Sequence, residues 1–581
     1  MNFIKNIEKT TIALLIFGGV YAQKNPIGSE VVNVVKPYTP SVSDAFKVKE
    51  IPTFEDEVAT EKEVINYAIF SFPVASTFTP SKGKAAAVEK SKQEKYFDNY
   101  ATLAAGNYTN INAELFVTHQ LENNNYVGAK LKHLSSQGGI KNVELKNSFS
   151  NSALDVTYGN RTQQLSWNID LGYQNQMYNW YGVPHDFFTP EQLNAINPKQ
   201  NFNTLSLGGK VALSESILKD VTAGFTHFSD KFSSSENRFV AKPNFEIQVL
   251  DQKIKTQFIF DYLGGSFDKS YLLSKAYNYG ATNLGLVPSF QITRDDLLVN
   301  IGAKVFYSVS GSDNASSKFY VYPNITASYK LVGDLMIGYA GAEGNLQQNS
   351  YKEFVDQNNF VSPTLQINPT DQQYDVFVGL KGKLASGIGY NIKGFFTNEN
   401  YKPMFVSNVY DSFQTDTTMP YVNLNSFEVL YDTVKTISFF GELKADVSKD
   451  IVFGIQGTLN SYTAKNLEEV YNLPALKLAS TLDFQITPKW YAGFKIYFTG
   501  ERKDRLMVRD VTAIGEPAYT NTTVKLNSFF DANAHVGFKY NDRWTFFVKS
   551  NNMANQNYQK WTNYPVQGIQ VLLGANYKFD F

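Results

Sequence analysis

The chain has 581 residues, a net charge of -1, 5 His and no Cys. That balance excludes a nucleic-acid surface built on bulk charge, and the lack of Cys excludes disulfides, thiolate metal sites and lipid attachment through Cys. A hydrophobic content of 43% excludes wholesale disorder, while a mean hydropathy of -0.28 excludes a helical membrane protein.

Residues 1–22 read as a secretory signal peptide. Lys5 and Lys9 supply the basic start, Thr11 to Val20 the apolar centre, and Val20-Tyr21-Ala22 the small residues before a cut after Ala22. The apolar run is too short to span a bilayer, and no later segment reaches 18 apolar residues. The chain is therefore expected outside the cytoplasm, without a helical anchor.

Residues 23–97 read as a periplasmic tail and linker. Pro37, Pro40, Pro52, Pro73 and Pro80 block helix and central strand, and residues 82–95 are rich in Ala and charge. Within the tail, Val34, Lys36, Pro37, Tyr38, Pro40, Asp44 and Phe46 form a patterned stretch expected to dock on a partner.

From residue 98 to 581 the pattern is strand, turn, strand. Tight turns are expected at Glu122–Asn125, Tyr158–Arg161, Asp251–Lys253, Arg294–Asp296, Val332–Asp334, Ala385–Gly387, Ser448–Asp450, Thr487–Lys489 and Asn541–Arg543. Longer connections lie between them, at 180–201, 265–278, 344–371, 401–434, 502–523 and 551–567. This alternation of short and long ends is the rule of an up-and-down barrel, and a Greek-key sandwich would break it. Tyr374, Val376, Val378 and Leu380 alternate with Asp375, Phe377, Gly379 and Lys381, so one face is apolar and the other wet. Counting such segments gives an all-β, transmembrane antiparallel barrel of about 22 strands. Its last strand, 569–581, alternates Ile569, Val571, Leu573, Ala575, Tyr577, Phe579 and Phe581 with mostly polar residues, Leu572 excepted. It is expected to pair with Trp544–Ser550 and with the first strand near Tyr100–Gly106. Tyr577, Phe579 and Phe581 read as the signal that barrel-insertion machinery recognises. Trp180 and Trp561 are expected in an outer interfacial belt, Trp490 and Trp544 in an inner one.

Chemistry is sparse. His119, His133, His185 and His227 are scattered, His535 is expected to face the lumen, and no nucleophile motif or metal-ligand spacing accompanies them. No catalytic, cofactor or metal residue is assigned, and the loop at 310–316 reads as a solvated loop rather than a calcium site.

Two stretches carry a family resemblance. Asn368-Pro369-Thr370-Asp371 leading into Tyr374-Asp375-Val376-Phe377-Val378-Gly379-Leu380-Lys381 is one. Phe546 to Asn555, Tyr558, Tyr564-Pro565-Val566-Gln567-Gly568 and the final aromatic strand are the other. Both resemble the barrel of TonB-dependent receptors, and the resemblance implies a 22-stranded barrel in the outer membrane of a Gram-negative bacterium; the Asn-, Lys- and Tyr-rich style is Bacteroidota-like. Residues 23–97 are too few for the family's plug domain, and Val31–Val35 makes a poor TonB box.

The resulting expectation is a non-catalytic outer-membrane barrel that contacts lipid and the barrel-insertion machinery. It would serve as a subunit of an outer-membrane assembly or secretion machine, with other subunits docking on residues 23–97. The alternative is an outer-membrane transporter or porin whose lumen is occluded by loops or a separate plug.

Overall fold

The computed structural model describes residues 95–581, apart from 250–251, 272–274, 312–315, 412–417 and 511–517. The export segment 1–22 and the docking residues Val34, Lys36, Pro37, Tyr38, Pro40, Asp44 and Phe46 lie outside the described residues. The chain forms one 22-stranded antiparallel sheet that closes on itself. Its first wall strand is Asn99–Gly106 and its last is Gln570–Phe579, paired from Asn99↔Phe579 to Gly106↔Leu572. The last strand's other neighbour is Trp544–Asn551, from Trp544↔Tyr577 to Asn551↔Gln570. Both expected pairings are therefore present. Closure satisfies every edge, which a lipid-exposed sheet requires.

The outward rows are apolar. Leu103, Leu131, Leu171, Leu207, Val378 and Leu573 all point away from the lumen and are exposed, Leu573 at 64%. A soluble protein does not leave so continuous an apolar belt in water; hydrocarbon is the solvent that matches it. Inward rows carry Glu114, Lys130, Asp170, Asp375 and Lys393. Period-two alternation thus sorts the sequence into a lipid face and a wet face.

Connections at one end are two to four residues long, and those at the other are mostly long. Two long-end connections are nevertheless tight, at 107–109 and 231–234, so the alternation is less strict than the sequence suggests. The turn placed at Tyr158–Arg161 falls just later, because Phe149–Arg161 stays in the ladder to its end. The 401–434 connection is shorter than expected, because the strands Ile388–Ser407 and Phe427–Ser448 run 20 and 22 residues. About 9–11 residues suffice to cross a bilayer, so this hairpin stands well beyond the wall. The 502–523 connection is itself a hairpin, Arg502–Asp510 with Ala518–Leu526.

Leu572, the one apolar residue on the wet face of the last strand, packs inward with Ala104 and Phe547 at the closing seam. Trp490 and Trp544 sit exposed at the short-turn end beside Phe538, Phe546 and Tyr577, as an interfacial belt requires.

These faces predict opposite responses to charge. Leu573→Lys should cost about 2–4 kcal/mol in unfolding from lipid vesicles. Asn576→Lys, on the wet face of the same strand, loses one hydrogen bond to Thr102 (2.7 Å) and should cost about 1 kcal/mol.

Candidate functional site: the loop cap at the long-loop end

Near the long-loop end, apolar residues replace polar ones on the wet face. Phe202, Phe228, Leu263, Phe267 and Tyr279 turn inward from four wall strands and are buried. What buries them is a loop. Residues 348–369 fold down from the rim and carry a short helix, Tyr351–Gln357. Ser350 caps it by accepting a hydrogen bond from the Glu353 amide (3.1 Å). Tyr351, Phe354 and Val355 fall on one helix face by i, i+3, i+4 spacing and are at most 1% exposed. Lys352 and Asp356 pair on the other face at 2.6 Å.

Wall carboxylates hold this helix. Glu236 accepts from the amides of Tyr351 (2.6 Å) and Lys352 (3.2 Å), and from the Tyr279 hydroxyl (2.8 Å). Asp230 accepts from the Tyr351 hydroxyl at 2.9 Å, while its other oxygen accepts from the Phe232 and Ser234 amides of the tight turn. Arg238 donates through two nitrogens to Asp261 (3.0 and 2.8 Å) and through a third to Glu353 (2.7 Å). Such forked, charge-assisted contacts fix geometry as well as charge. Burial raises the Tyr351 hydroxyl pKa well above that of a free tyrosine, so it stays a donor to Asp230.

Loops from other parts of the rim meet the first. The Trp180 indole donates to the Asn359 carbonyl (3.1 Å), Asn425 donates to the Trp180 carbonyl (3.2 Å), and the Tyr564 hydroxyl donates to the Asn425 carbonyl (2.5 Å). Phe360 stacks on Tyr564 at 3.7 Å, and Tyr181 meets both rings edge-on. Gln567 reaches the other side of the seam, donating to Ser136 and Gly138. Four loops, 180–198, 348–369, 418–426 and 552–569, thus interlock across the mouth.

The outer hairpin is fastened in the same way. Asp504, fully buried, accepts from the Ser407 amide (3.1 Å) and hydroxyl (2.8 Å), from the Arg505 amide and from the Thr562 hydroxyl. Asp432 accepts from the Asn466 and Leu467 amides and ties down loop 465–475. That loop covers Met404, Val406 and Val434 on the far face of the long hairpin.

Several sequence expectations land differently here. Trp180 is fully buried in the cap, and Trp561 packs on Phe405 and Phe427; neither belongs to an interfacial belt. Long loops carried these two indoles past the rim and back over the lumen. His535 faces the lumen beside Tyr491. His119, His133 and His227 are on wall strands; His133 contacts only serines among its described hydrogen-bond partners. Glu144, His185 and Asp186 bring three ligand atoms within 4.8 Å on the exposed loop surface, a grouping invisible in sequence because 40 residues separate its parts. Tyr577 and Phe579 stack on each other, and Phe581 follows them past the end of the strand, exposed at the short-turn rim.

The anchors predict two measurable effects. Glu236→Ala strands three donors and should free the 348–369 loop by about 3 kcal/mol, read as faster hydrogen exchange there with the barrel intact. Burial raises the Asp504 carboxyl, against the pull of its donors. Its contribution is thus full below the ordinary aspartate value near about 4 and is lost as pH rises through the raised one. Protection of the strands Arg502–Asp510 and Ala518–Leu526, corrected for intrinsic rate, should fall across that window, and Asp504→Asn should flatten the dependence.

No protein-family model matches the chain, and no curated protein matches it. Solved structures do. The pyoverdine outer-membrane receptor FpvA from Pseudomonas aeruginosa matches with a TM-score of 0.61 and 11% identity, over 84% of this chain and 79% of that one. The siderophore receptor PirA from Acinetobacter baumannii gives 0.59 and 12%, over 84% and 81%. The FrpB iron transporter from Neisseria meningitidis gives 0.62 and 11%, over 84% and 83%. At these identities it is the fold that is shared, and the chain has the 22-stranded barrel fold of outer-membrane receptors, resembling the barrel of TonB-dependent receptors.

Proposed function

We propose that this protein is an outer-membrane transporter whose entrance is closed by its own loops. The single observation that carries the reading is the cap: four loops interlocked over a polar lumen and held there by wall carboxylates. A barrel of this size is otherwise a wide hole, and a transporter needs a closure that can be released. The anchors suit release, because hydrogen bonds to buried carboxylates are strong when complete and are lost together when one part leaves. The solved neighbours support it, being described as receptors or transporters for a siderophore, iron or copper. For this chain the class of cargo is a small polar solute entering at the long-loop end, which would face outward, with the short turns in the periplasm.

The expectation of an assembly or secretion subunit draws no support from the described residues or the neighbours. Two finer readings stand as parts of the proposal. Residues 34–46 would dock a periplasmic partner, and Tyr577, Phe579 and Phe581 would mark the chain for barrel insertion after cleavage behind Ala22.

Planar-bilayer recording tests the reading. The full chain should conduct little, and Glu236→Ala or deletion of 349–367 should give large, frequent openings. A cap-loosened variant as silent as the parent would overturn it, as would a parent already wide open.

A further inference from the structure

The outward rows of the wall dip into an open groove of about 1120 Å³ across the strands Ser317–Val332 to Ile451–Ala464. One row across it is Ala340, Val378, Gly394, Phe439 and Leu459, neighbours in register on five strands. The side chains are unequal: Val378 and Phe439 stand out, exposed at 66% and 56%, while Ala340 and Gly394 leave room between them. A Cβ placed on Gly394, or on Gly441 in the adjacent strand, would meet no atom within 4 Å. The groove is therefore a real recess in the face turned to hydrocarbon. Among its lining residues none is charged.

One step along the strand toward the long-loop end, the outward position after Ile437 is Lys435. It is exposed, and its register partners are Asn398 and Thr463, which bring no carboxylate. An apolar recess thus opens from the lipid-facing belt and ends under an ammonium group at the leaflet boundary. We propose that the groove holds an acyl chain of an anionic membrane lipid, with the lipid phosphate against Lys435. A flexible chain can thread between Val378 and Phe439, whereas a straight apolar helix about 10–12 Å wide would be held off by them. Continuity with the belt supplies the chain, and Lys435 selects the head group.

Native mass spectrometry of the full chain, extracted from its membrane in mild detergent, tests this. The parent should retain one or two phosphate-bearing lipids. Gly394→Trp fills the recess and should cut that occupancy about tenfold. Lys435→Glu should cut it about fivefold, from loss of attraction to the anionic head group. Ala129→Trp, on the lipid face of a distant strand, should leave it unchanged. Heat-dependent gel mobility checks that each barrel is folded, and Lys435→Glu keeps the test open if the Trp variant is not. Equal lipid retention in all variants would overturn the proposal. So would a co-purifying polypeptide lost on Gly394→Trp while the lipid count stays constant.

Discussion

Buried and half-buried carboxylates that accept backbone amides hold this molecule's loops in place. Glu236 takes two amides of the cap helix, Asp230 two of the adjoining turn, Asp432 two of loop 465–475, and Asp504 those of Ser407 and Arg505. A carboxylate without partners is costly to bury, and an amide without partners nearly as much so. Each anchor therefore works only when the loop is in place. This makes the cap cooperative: Tyr351, Phe354 and Val355 bury the wall aromatics only if Glu236 has seated the helix.

The barrel sets the problem that the cap answers. Closing 22 strands leaves a lumen too wide to fill with wall side chains alone. Lower down, the inward rows remain polar and half-exposed. At the long-loop end the same rows turn aromatic, and four loops fold over them. The long hairpin Ile388–Ser407 with Phe427–Ser448 is the scaffold for this. It rises past the rim with Phe405, Phe427 and Val429 packed on the cap and Met404, Val406 and Val434 packed on loop 465–475.

Much of the wall was legible from the sequence. Alternation in 374–381 and 569–579, with the near-constant parity of short and long turns, yields the strand number, the closing pair and the placing of both ends of the wall at the short-turn rim. The cap was not legible, for two physical reasons. Its contacts join residues far apart in the chain, such as Trp180 with Asn425 or Ser136 with Gln567. Its anchors, Asp230, Glu236 and Asp504, look in sequence like ordinary wet-face or loop acids. A clue was present: Phe202 and Phe228 fall on the polar parity of their strands, Phe202 just after the long connection 180–198. Leu572 is the same kind of exception and marks the closing seam. Apolar residues that break the wet face of a barrel strand point to something inside.

The loops of the cap hold the mouth shut by seating Tyr351–Gln357 on the wall. The chain has no Cys, so a single introduced thiol reports without background. Val355→Cys places it on the buried face of the cap helix, at a position with no solvent exposure. In folded protein reconstituted in vesicles, a membrane-impermeant thiol reagent should label it slowly, and adding Glu236→Ala should raise the rate to that of an exposed cysteine. Rapid labelling of Val355→Cys with Glu236 intact would contradict the account.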